Sequence, residues 1–373
     1  MTEVSTFAPS TAAIIKEAKC FVEDSSATRA ARLVVYALII IVSLVANALV
    51  IFIVCREKRM RNTINFLIVN MCCSDLLITV VYMPRTMTIF VVGYKWFLSG
   101  AAGEITCKIV PFLLETATTV SILTVVMISF ERFVSVLFPL KTFITSKPAR
   151  FIIAAMWISA AAFRSPVFAI RLVEEKESLY CTLNLDQEIH KGAATAYYNV
   201  IMATLYILPL LLIIVFYSGT VVILQRNKTP RRPLRRNRGS PNLINQKVLK
   251  MVMVVVAVFV ICWVLYFVVL MLDTIKVPVP CEVRFARLVL AHSNCAIAPC
   301  LYFLFSENFR KGFLSVRKTC TSGLARGGNS SEATYYKSDS EKKNSSGCLF
   351  GIYSASNKSP NGEESEMVAS PTS

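Results

Sequence analysis

The sequence has little charge for its length. Charged residues make up 17% of its 373 residues and hydrophobic residues 55%, and the mean hydropathy is +0.57. One soluble core of this size cannot bury so much apolar surface. The composition therefore excludes a water-soluble globular protein and indicates a chain that crosses a membrane several times.

Histidine is also scarce, and no motif with metal-ligand spacing occurs. The two histidines are His190, in a polar segment, and His292, alone in an apolar run. A membrane enzyme would need paired carboxylates or histidines inside the membrane, where this chain offers chiefly Asp75. Internal half-to-half similarity and paired Gly/Pro-broken helices, which are typical of transporters, are missing as well. These absences argue against an enzyme and against a transporter.

What the sequence does contain is a set of seven hydrophobic runs. Each run has the length of a helix that spans a hydrocarbon core, about 17 to 25 residues or more when tilted. The pattern predicts an all-α membrane protein built as a seven-helix bundle. The runs cover approximately Leu33–Cys55, Ile64–Val92, Ile105–Val136, Phe151–Ile170, Tyr197–Leu224, Met251–Leu272 and Leu288–Phe305.

The polar loops between the runs differ in charge. Lys and Arg gather after the first run, between the third and fourth runs, and between the fifth and sixth, where the stretch 231–238 is especially rich in Arg. Short loops rich in these residues stay in the cytosol, which predicts an extracellular N-terminus and a cytoplasmic C-terminus. A basic stretch can bind nucleic acid, but its place between two spans favours inner-leaflet lipid and a cytosolic protein as partners.

The orientation of the third run across the membrane can be inferred from its two ends. Cys107 and Arg132 are 25 positions apart, which is about 37 Å along a helix and enough to cross a hydrocarbon core of about 30 Å. Thiols can be bridged outside the cell and are kept reduced inside it. The sequence therefore predicts that Arg132, within Glu131-Arg132-Phe133, faces the cytosol.

The two ends of the chain differ from its centre. Residues 1–29 mix both charge signs among short apolar pieces, so we expect no cleavable signal peptide and a first span that acts as its own signal. From about Cys320 onward the chain is rich in Ser, Gly, Asn and Lys, which cannot form a packed core. We predict an extracellular N-terminal tail at 1–30, a transmembrane domain at 31–319 and a disordered cytoplasmic tail at 320–373.

Four cysteines fall in or beside the predicted outer segments. They are Cys20, Cys107, Cys181 and Cys281. Four thiols in an oxidising compartment suggest two disulfides. Three pairings are possible from the sequence; we favour Cys107–Cys181 together with Cys20–Cys281, and four free thiols are the alternative.

Short motifs follow one another through the seven runs. Any one of them is weak evidence, but their order and intervals make a chance match very improbable. They are Asn47-Ala-Leu-Val, Asn70-Met-Cys-Cys-Ser-Asp75, Cys107 with Glu131-Arg132-Phe133, Trp157, Pro209 with Tyr217, Cys262-Trp263, and Pro299-Cys-Leu-Tyr302.

On these motifs the chain resembles a rhodopsin-like (class A) G-protein-coupled receptor over roughly residues 30 to 320. The resemblance implies a short amphipathic eighth helix and activation by a shift between bundle states, with the sixth helix moving outward. Arg132 would be held by Glu131 at rest and would pair with Tyr217, Tyr302 and a G-protein helix when active. A surface salt bridge is the alternative for Glu131-Arg132. The other activation residues are Phe259, Trp263 and Pro299.

A polar group near the bilayer midplane is the second implied site. Asp75 and Ser121 each lie roughly 16 Å from the cytosolic end of their helices, and an ionisable group at that depth is expensive and usually functional. Together with Asn47 and Asn294 they are candidates to hold an allosteric sodium ion. An interhelical hydrogen-bond network without an ion is the alternative.

Two positions depart from the family pattern. Where the family usually has Asn or Asp before the proline of the seventh helix, this chain has Ala298, which removes a polar partner from the sodium site. Where the family usually has a proline two positions after the tryptophan of the sixth helix, this chain has Leu265. Without that kink-forming ring we expect altered activation energetics rather than loss of function.

The sequence also narrows the ligand class. The position at which aminergic receptors carry a carboxylate is Leu114, with the neighbouring Glu115 expected to point elsewhere, and the position of the retinal-binding lysine is His292. Amines and light sensing are therefore disfavoured. The chain best resembles the peptide-receptor branch, near receptors for amidated neuropeptides. A class A receptor for a non-peptide small molecule or lipid, a transporter and a non-signalling decoy are the alternatives.

Alternating residues around Cys181 in the long loop 171–194 predict a hairpin, and the predicted ligand pocket lies under it. This loop carries five acids against three bases, which would attract a cationic peptide unless the charges are only solvated. Each predicted pocket residue could instead serve only to pack the bundle, and the alternative role of His292 is an interhelical hydrogen bond. These residues are Glu115, Tyr266, Phe267, Asp273 and His292, with Trp263 as the floor.

The predicted partners follow from the topology and the resemblance. They are an extracellular peptide, a heterotrimeric G protein, membrane lipids, and receptor kinases and arrestin acting on the tail, with no nucleic acid and no metal other than sodium. Tail serines such as Ser338, Ser340, Ser345 and Ser346 are candidate phosphorylation sites. Cys320 is a candidate palmitoylation site, with a cysteine of no special role as the alternative. The predicted location is the plasma membrane.

Overall fold

The computed structural model describes residues 21–138, 146–175, 177–183, 193–226, 241–274 and 277–315. Among them, seven helices are long and apolar enough to cross a membrane, as the hydrophobic runs predicted. Their bounds are α1 Ser26–Arg56, α2 Thr63–Val92, α3 Gly100–Leu137, α4 Ser146–Arg164 continued by a 3-10 turn at Ser165–Ala169, α5 Ala193–Arg226, α6 Pro241–Thr274 and α7 Cys281–Phe305.

Several helices extend beyond the hydrophobic runs. The first begins at Ser26, seven residues before the run, where the Ser25 side chain accepts a hydrogen bond from the Thr28 N–H at 3.1 Å. The seventh begins at Cys281, also seven residues before its run. Hydropathy marks only the part of a helix that is apolar, whereas the backbone hydrogen bonds continue through polar turns. The predicted bounds were therefore too short at these ends.

Two helices contain a wide π turn just before a proline. The turn in α2 covers Ile78–Tyr82 and precedes Pro84, and the turn in α5 covers Ala203–Ile207 and precedes Pro209. A proline ring lacks an N–H and collides with the carbonyl four residues earlier, so the chain relieves the collision by widening. By contrast, α6 runs from Pro241 to Thr274 with no internal proline.

One end of the bundle carries a small antiparallel sheet. Its strands are β1 Lys95–Trp96, β2 Ile170–Glu175 and β3 Ser178–Leu183, in the order β1-β3-β2. Strands β2 and β3 form the hairpin that the alternating residues around Cys181 predicted. We call this end of the bundle the hairpin end, and the opposite end, where α3 carries Arg132, the arginine end.

A disulfide fastens the hairpin to α3. Cys107 and Cys181 are bonded, with 5.7 Å between their Cα atoms, so the favoured pairing of these two cysteines is confirmed. Cys281 is also disulfide-bonded, but its predicted partner Cys20 lies outside the described residues. The candidate palmitoylation site Cys320 and the tail serines lie outside them as well.

The third helix occupies the centre of the bundle. It contacts α2, α4, α5 and α6 as well as β2, and its middle section is almost completely buried. Large apolar side chains such as Val45 and Ile261, each 63% exposed, point away from the bundle. A surface of this kind is unfavourable in water and suits a hydrocarbon environment.

Residues 307–315 form a short helix, α8, after α7, which confirms the predicted eighth helix. Phe309 and Gly312 face the bundle, whereas Arg310 and Lys311 are exposed. Phe309 lies 5.9 Å from the Tyr302 ring, centroid to centroid. At Gly312 the helix approaches α1 so closely that a Cβ atom would lie 2.5 Å from Ile53 Cγ2.

Replacing Gly312 by alanine should therefore destabilise the protein. The added methyl group collides with a β-branched side chain whose own backbone is fixed, and such overpacking costs typically about 1–3 kcal/mol. The thermal unfolding midpoint of the purified protein should fall. Lys311→Ala, on the exposed face of the same helix, is the control. If both variants unfold like the wild type, the close contact with Ile53 does not exist.

Candidate functional site

The arginine end of α3 holds a two-pronged ion pair. Arg132 Nε and Nη2 donate to Glu131 Oε2 and Oε1 at 2.5 and 2.7 Å, and the Ser135 hydroxyl donates to Glu131 Oε1 at 3.1 Å. The two charged side chains are only 14% and 13% exposed. Paired bonds of this kind fix both position and direction of the groups they join. The pair is partly buried and is not a freely solvated surface bridge.

The two tyrosines expected to join this pair lie in different surroundings. The Tyr217 hydroxyl on α5 is buried, with Ser129 and Arg132 of α3 among its polar neighbours. The Tyr302 hydroxyl on α7 instead donates to Met71 Sδ at 3.5 Å. The structure thus brings Arg132 together with Glu131 and Tyr217, while Tyr302 is directed toward α2.

An apolar layer separates the arginine end from the middle of the bundle. Val125 and Ile128 of α3 line one pocket with Val252, Val255 and Val256 of α6. Tyr302 of α7 lines the same pocket. Separation of α3 from α6 would open this layer, because close-packed interiors do not deform continuously.

A stack of aromatic rings continues along α6 from this layer. The Trp263 ring lies 5.9 Å from Phe259, 5.5 Å from Tyr266 and 5.8 Å from Phe267, measured between centroids. Trp263 is buried, and its Nε1 makes no hydrogen bond with the described residues. Phe267 in turn contacts Tyr206 of α5. The stack links the predicted activation residues to the predicted pocket residues through direct ring contacts.

The predicted sodium residues lie in the buried middle of the bundle. Asp75 accepts from Ser121 at 3.5 Å, and Asn47 Nδ2 donates to the Cys295 carbonyl at 2.8 Å. Asn47 Oδ1 and Asn294 Oδ1 are buried and without a hydrogen-bond partner among the described residues, and the buried Asp75 carboxylate also lies beside the Cys295 side chain. Oxygen atoms of this kind are the ligands that hard cations prefer, so the residues present fit a sodium ion.

The same region also contains the alternative hydrogen-bond network. Ser121 bonds to Ser74 at 2.7 Å, and Asn70 connects α2 to α3 through Thr124 at 2.7 Å and to α4 through Trp157 at 2.9 Å. Ala298 is buried and presents only a methyl group. The middle of the bundle is therefore held together by hydrogen bonds whether or not an ion binds.

Near the hairpin end, Glu115 of α3 forms an ion pair with Arg164 of α4. The arginine side chain is only 3% exposed, whereas the glutamate side chain is 33% exposed. Arg164 Nε also donates to Thr119 Oγ1 at 2.9 Å, and Tyr197 and Tyr206 of α5 are close neighbours. The buried arginine holds the carboxylate in place and leaves part of it accessible.

A second ion-pair group joins α6 to α7. Asp273 accepts from Arg284 at 2.6 and 3.1 Å and from Arg287 at 3.4 Å. The Arg287 guanidinium lies 5.7 Å from the centre of the Tyr266 ring. Asp273 therefore connects the ends of two helices in this structure, in addition to any contact with a ligand.

His292 is the most deeply placed of the predicted pocket residues. It is 4% exposed, its Nδ1 is hydrogen-bonded to the Tyr36 hydroxyl of α1, and its ring lies 5.7 Å from that of Tyr82. This geometry corresponds to the interhelical hydrogen bond considered as its alternative role.

The sequence reasoning missed several residues at this end. Tyr82 interacts electrostatically with Arg85, Glu115, Tyr266 and Arg287, so side chains from four helices converge on it. We call these five residues the hairpin-end cluster. Arg164 was missed too, although a lone arginine within a hydrophobic run is a signal of function by default. No sequence signal pointed to Tyr82.

Comparison with known proteins identifies relatives of this bundle. A family model described as 7 transmembrane receptor (rhodopsin family) matches residues 46–302. The QRFP-like peptide receptor of Branchiostoma floridae is 30% identical over 313 residues, 79% of either chain. Neuropeptide FF receptor 2 of Mus musculus is 28% identical over 76% of this chain and 72% of its own. The RYamide receptor of Tribolium castaneum is 28% identical over 75% of this chain and 78% of its own.

Removing the Glu115 charge alone should destabilise the protein more than removing the whole pair. Glu115→Leu leaves a buried, uncompensated guanidinium, which costs up to about 3–5 kcal/mol, whereas replacing both partners by apolar residues is often close to neutral. Thermal unfolding of Glu115→Leu, Arg164→Leu and the double variant measures this. If the decreases in unfolding midpoint of the two single variants add up to that of the double variant, the two side chains are not coupled.

Proposed function

This chain belongs to the rhodopsin family of seven-transmembrane receptors, and we propose that it binds an extracellular neuropeptide and activates a heterotrimeric G protein. Membership of this receptor family also confirms that the chain is not an enzyme. The relatives whose names specify a peptide support the peptide ligand. The observation that carries the G-protein proposal is the partly buried Glu131–Arg132 pair, which holds a cation at one end of the central helix.

The proposed orientation places the hairpin end outside the cell. The disulfide Cys107–Cys181 lies at that end and requires an oxidising compartment to persist. Lys and Arg concentrate in the loops of the opposite end, as the positive-inside rule demands of cytoplasmic loops. The receptor would then sit in the plasma membrane with its N-terminus extracellular and its tail cytoplasmic.

Binding at the hairpin-end cluster would act on α6 through the aromatic stack. A ligand that displaces Tyr266 or Phe267 also displaces Trp263, because the rings are in contact. Movement of α6 away from α3 would open the apolar layer, release Arg132 from Glu131 and expose it to Tyr217 and to a G-protein helix. The ligand drives this change only to the extent that it binds the open state more tightly.

The accessible Glu115 carboxylate and the acidic hairpin loop support a peptide with a cationic residue. Glu174 and Glu177 on the hairpin are exposed and would raise the local concentration of such a peptide. Arg164 would keep Glu115 oriented toward the incoming cation. Receptor kinases and arrestin would act on the tail serines, and Cys320 would carry a palmitoyl group; these parts of the proposal rest on composition and family resemblance.

The G-protein proposal predicts opposite effects for the two members of the ion pair. Glu131→Gln should raise basal nucleotide exchange on an added G protein by at least about tenfold, because the pair it weakens is worth on the order of 1.5–3 kcal/mol. Arg132→Ala should abolish most peptide-stimulated exchange. Exchange is measured with full-length receptor and a panel of G proteins, using amidated and basic peptides.

Glu57→Gln is the matched control, since it removes a carboxylate at the same end that pairs with the largely exposed Arg59. It should leave exchange unchanged. Ligand binding without exchange on any G protein would contradict the proposal and favour a non-signalling receptor. Exchange driven by lipids or small molecules but by no peptide would contradict the ligand class.

The proposed allosteric sodium ion makes a separate prediction. The wild-type unfolding midpoint should be higher in sodium chloride than in choline chloride at the same ionic strength, because an ion that binds only the folded state stabilises it. Asp75→Asn should abolish the difference, and the surface variant Glu57→Gln should keep it. A wild-type midpoint that is equal in the two salts would favour the hydrogen-bond network without an ion.

A further inference from the structure

Arg85 is a cation of the hairpin-end cluster, and its hydrogen-bond and ring partners among the described residues are neutral. Its Nη1 donates to Thr88 Oγ1 at 2.7 Å, its Nη2 donates to the Tyr94 carbonyl at 2.9 Å, and its guanidinium lies 4.9 Å from the centre of the Trp96 ring. Within the part of the chain that the structure describes, no carboxylate pairs with it. Arg164, by comparison, is paired with Glu115.

The guanidinium of Arg85 is held in place, and some of its donors have no partner in the part of the chain that the structure describes. It has five N–H groups in a rigid fork, and the two hydrogen bonds to Thr88 and Tyr94 use two of them. Neutral partners compensate only part of the cost of withdrawing a charge from water. The remaining N–H groups can bind a carboxylate through two parallel hydrogen bonds, and the Trp96 ring packs beside the guanidinium.

The surroundings of Arg85 place these donors beside the hairpin-end cluster. Tyr82, one turn earlier on α2, interacts electrostatically with Arg85 and with Arg287 of α7. Tyr82 and Arg85 are both only partly buried. The π turn in α2 ends at Tyr82, three residues before Arg85, and such turns frequently occur at functional sites.

We propose that Arg85, with Tyr82 beside it, binds a carboxylate of the ligand. The assignment rests on the proposed function for the identity of that ligand as a peptide. The carboxylate belongs either to the free end of the peptide or to an acidic side chain of a peptide with an amidated end. A guanidinium recognises both in the same way, and the experiment separates them.

The test uses the full-length receptor in lipid nanodiscs and three small probes. N-acetyl-phenylalanine carries a terminal carboxylate, N-acetyl-aspartyl-phenylalaninamide carries a side-chain carboxylate, and N-acetyl-phenylalaninamide carries none. The thermal unfolding midpoint is titrated with each probe. We expect at least one acid to raise the midpoint and the neutral amide to leave it unchanged. The acid that acts identifies the source of the carboxylate.

Variants of Arg85 separate ligand binding from a purely structural role in holding the Tyr94 carbonyl. Arg85→Gln, which can still donate a hydrogen bond, should weaken the apparent affinity for the active acid by at least about tenfold. Arg85→Lys, which keeps the charge, should restore part of it. Lys95→Gln, which removes an exposed cation on β1, is the matched control and should bind the acid like the wild type.

The carboxylate site is overturned if the unfolding midpoint responds equally to acid and amide, or to none of the probes. It is also overturned if Arg85→Gln binds the active acid with wild-type affinity. Nucleotide exchange on an added G protein is measured on the same preparations with a peptide library. Acid binding that depends on Arg85, without exchange by any peptide, contradicts the proposed function and leaves the site intact. Peptide-driven exchange that is insensitive to Arg85→Gln contradicts the carboxylate site and leaves the proposed function intact.

Discussion

The exclusion of water from the membrane interior is the constraint on which the rest of this structure depends. An unsatisfied polar group in hydrocarbon costs several kcal/mol, so the seven helices present apolar side chains outward and direct their polar side chains toward one another. Ser43 with Thr79, Asn70 with Thr124 and His292 with Tyr36 each join two helices in this way. Polar residues that would destabilise the protein at the lipid surface thereby fix the relative positions of the helices.

The same constraint makes the charged pairs informative. A buried ion pair contributes little to stability compared with an apolar pair of the same shape, so its presence is better explained by what its charges do. These charged groups lie toward the two ends of the bundle, and the carboxylate side chain of each keeps some exposure. They are Glu131–Arg132, Glu115–Arg164 and the Asp273 group. Between them, the apolar layer around Val125 and Ile128 separates the two charged regions.

The fold could be predicted largely from the sequence, and the site only in part. Run lengths gave the seven helices because hydropathy directly measures what lipid requires, and the alternating residues around Cys181 gave the hairpin. The pairing of Glu115 with Arg164 could not be derived, because it depends on how α3 and α4 are rotated against each other. The π turn in α2 also changes which residues face each other, since an extra residue in one turn rotates the rest of the helix by about 100°. Tyr82 and Arg85 are placed by that rotation, which no count along a regular helix reproduces.

The covalent link between Cys107 and Cys181 has a mechanical consequence. It joins the sheet to a single helix of 38 residues, Gly100–Leu137, which is about 57 Å long and carries the guanidinium of Arg132 near its far terminus. Strands tied to the start of α3 must move together with it, although Pro111 interrupts the backbone hydrogen bonds of the helix about one turn later. The bridge thus limits how far the sheet can separate from the helix that carries the distant charge.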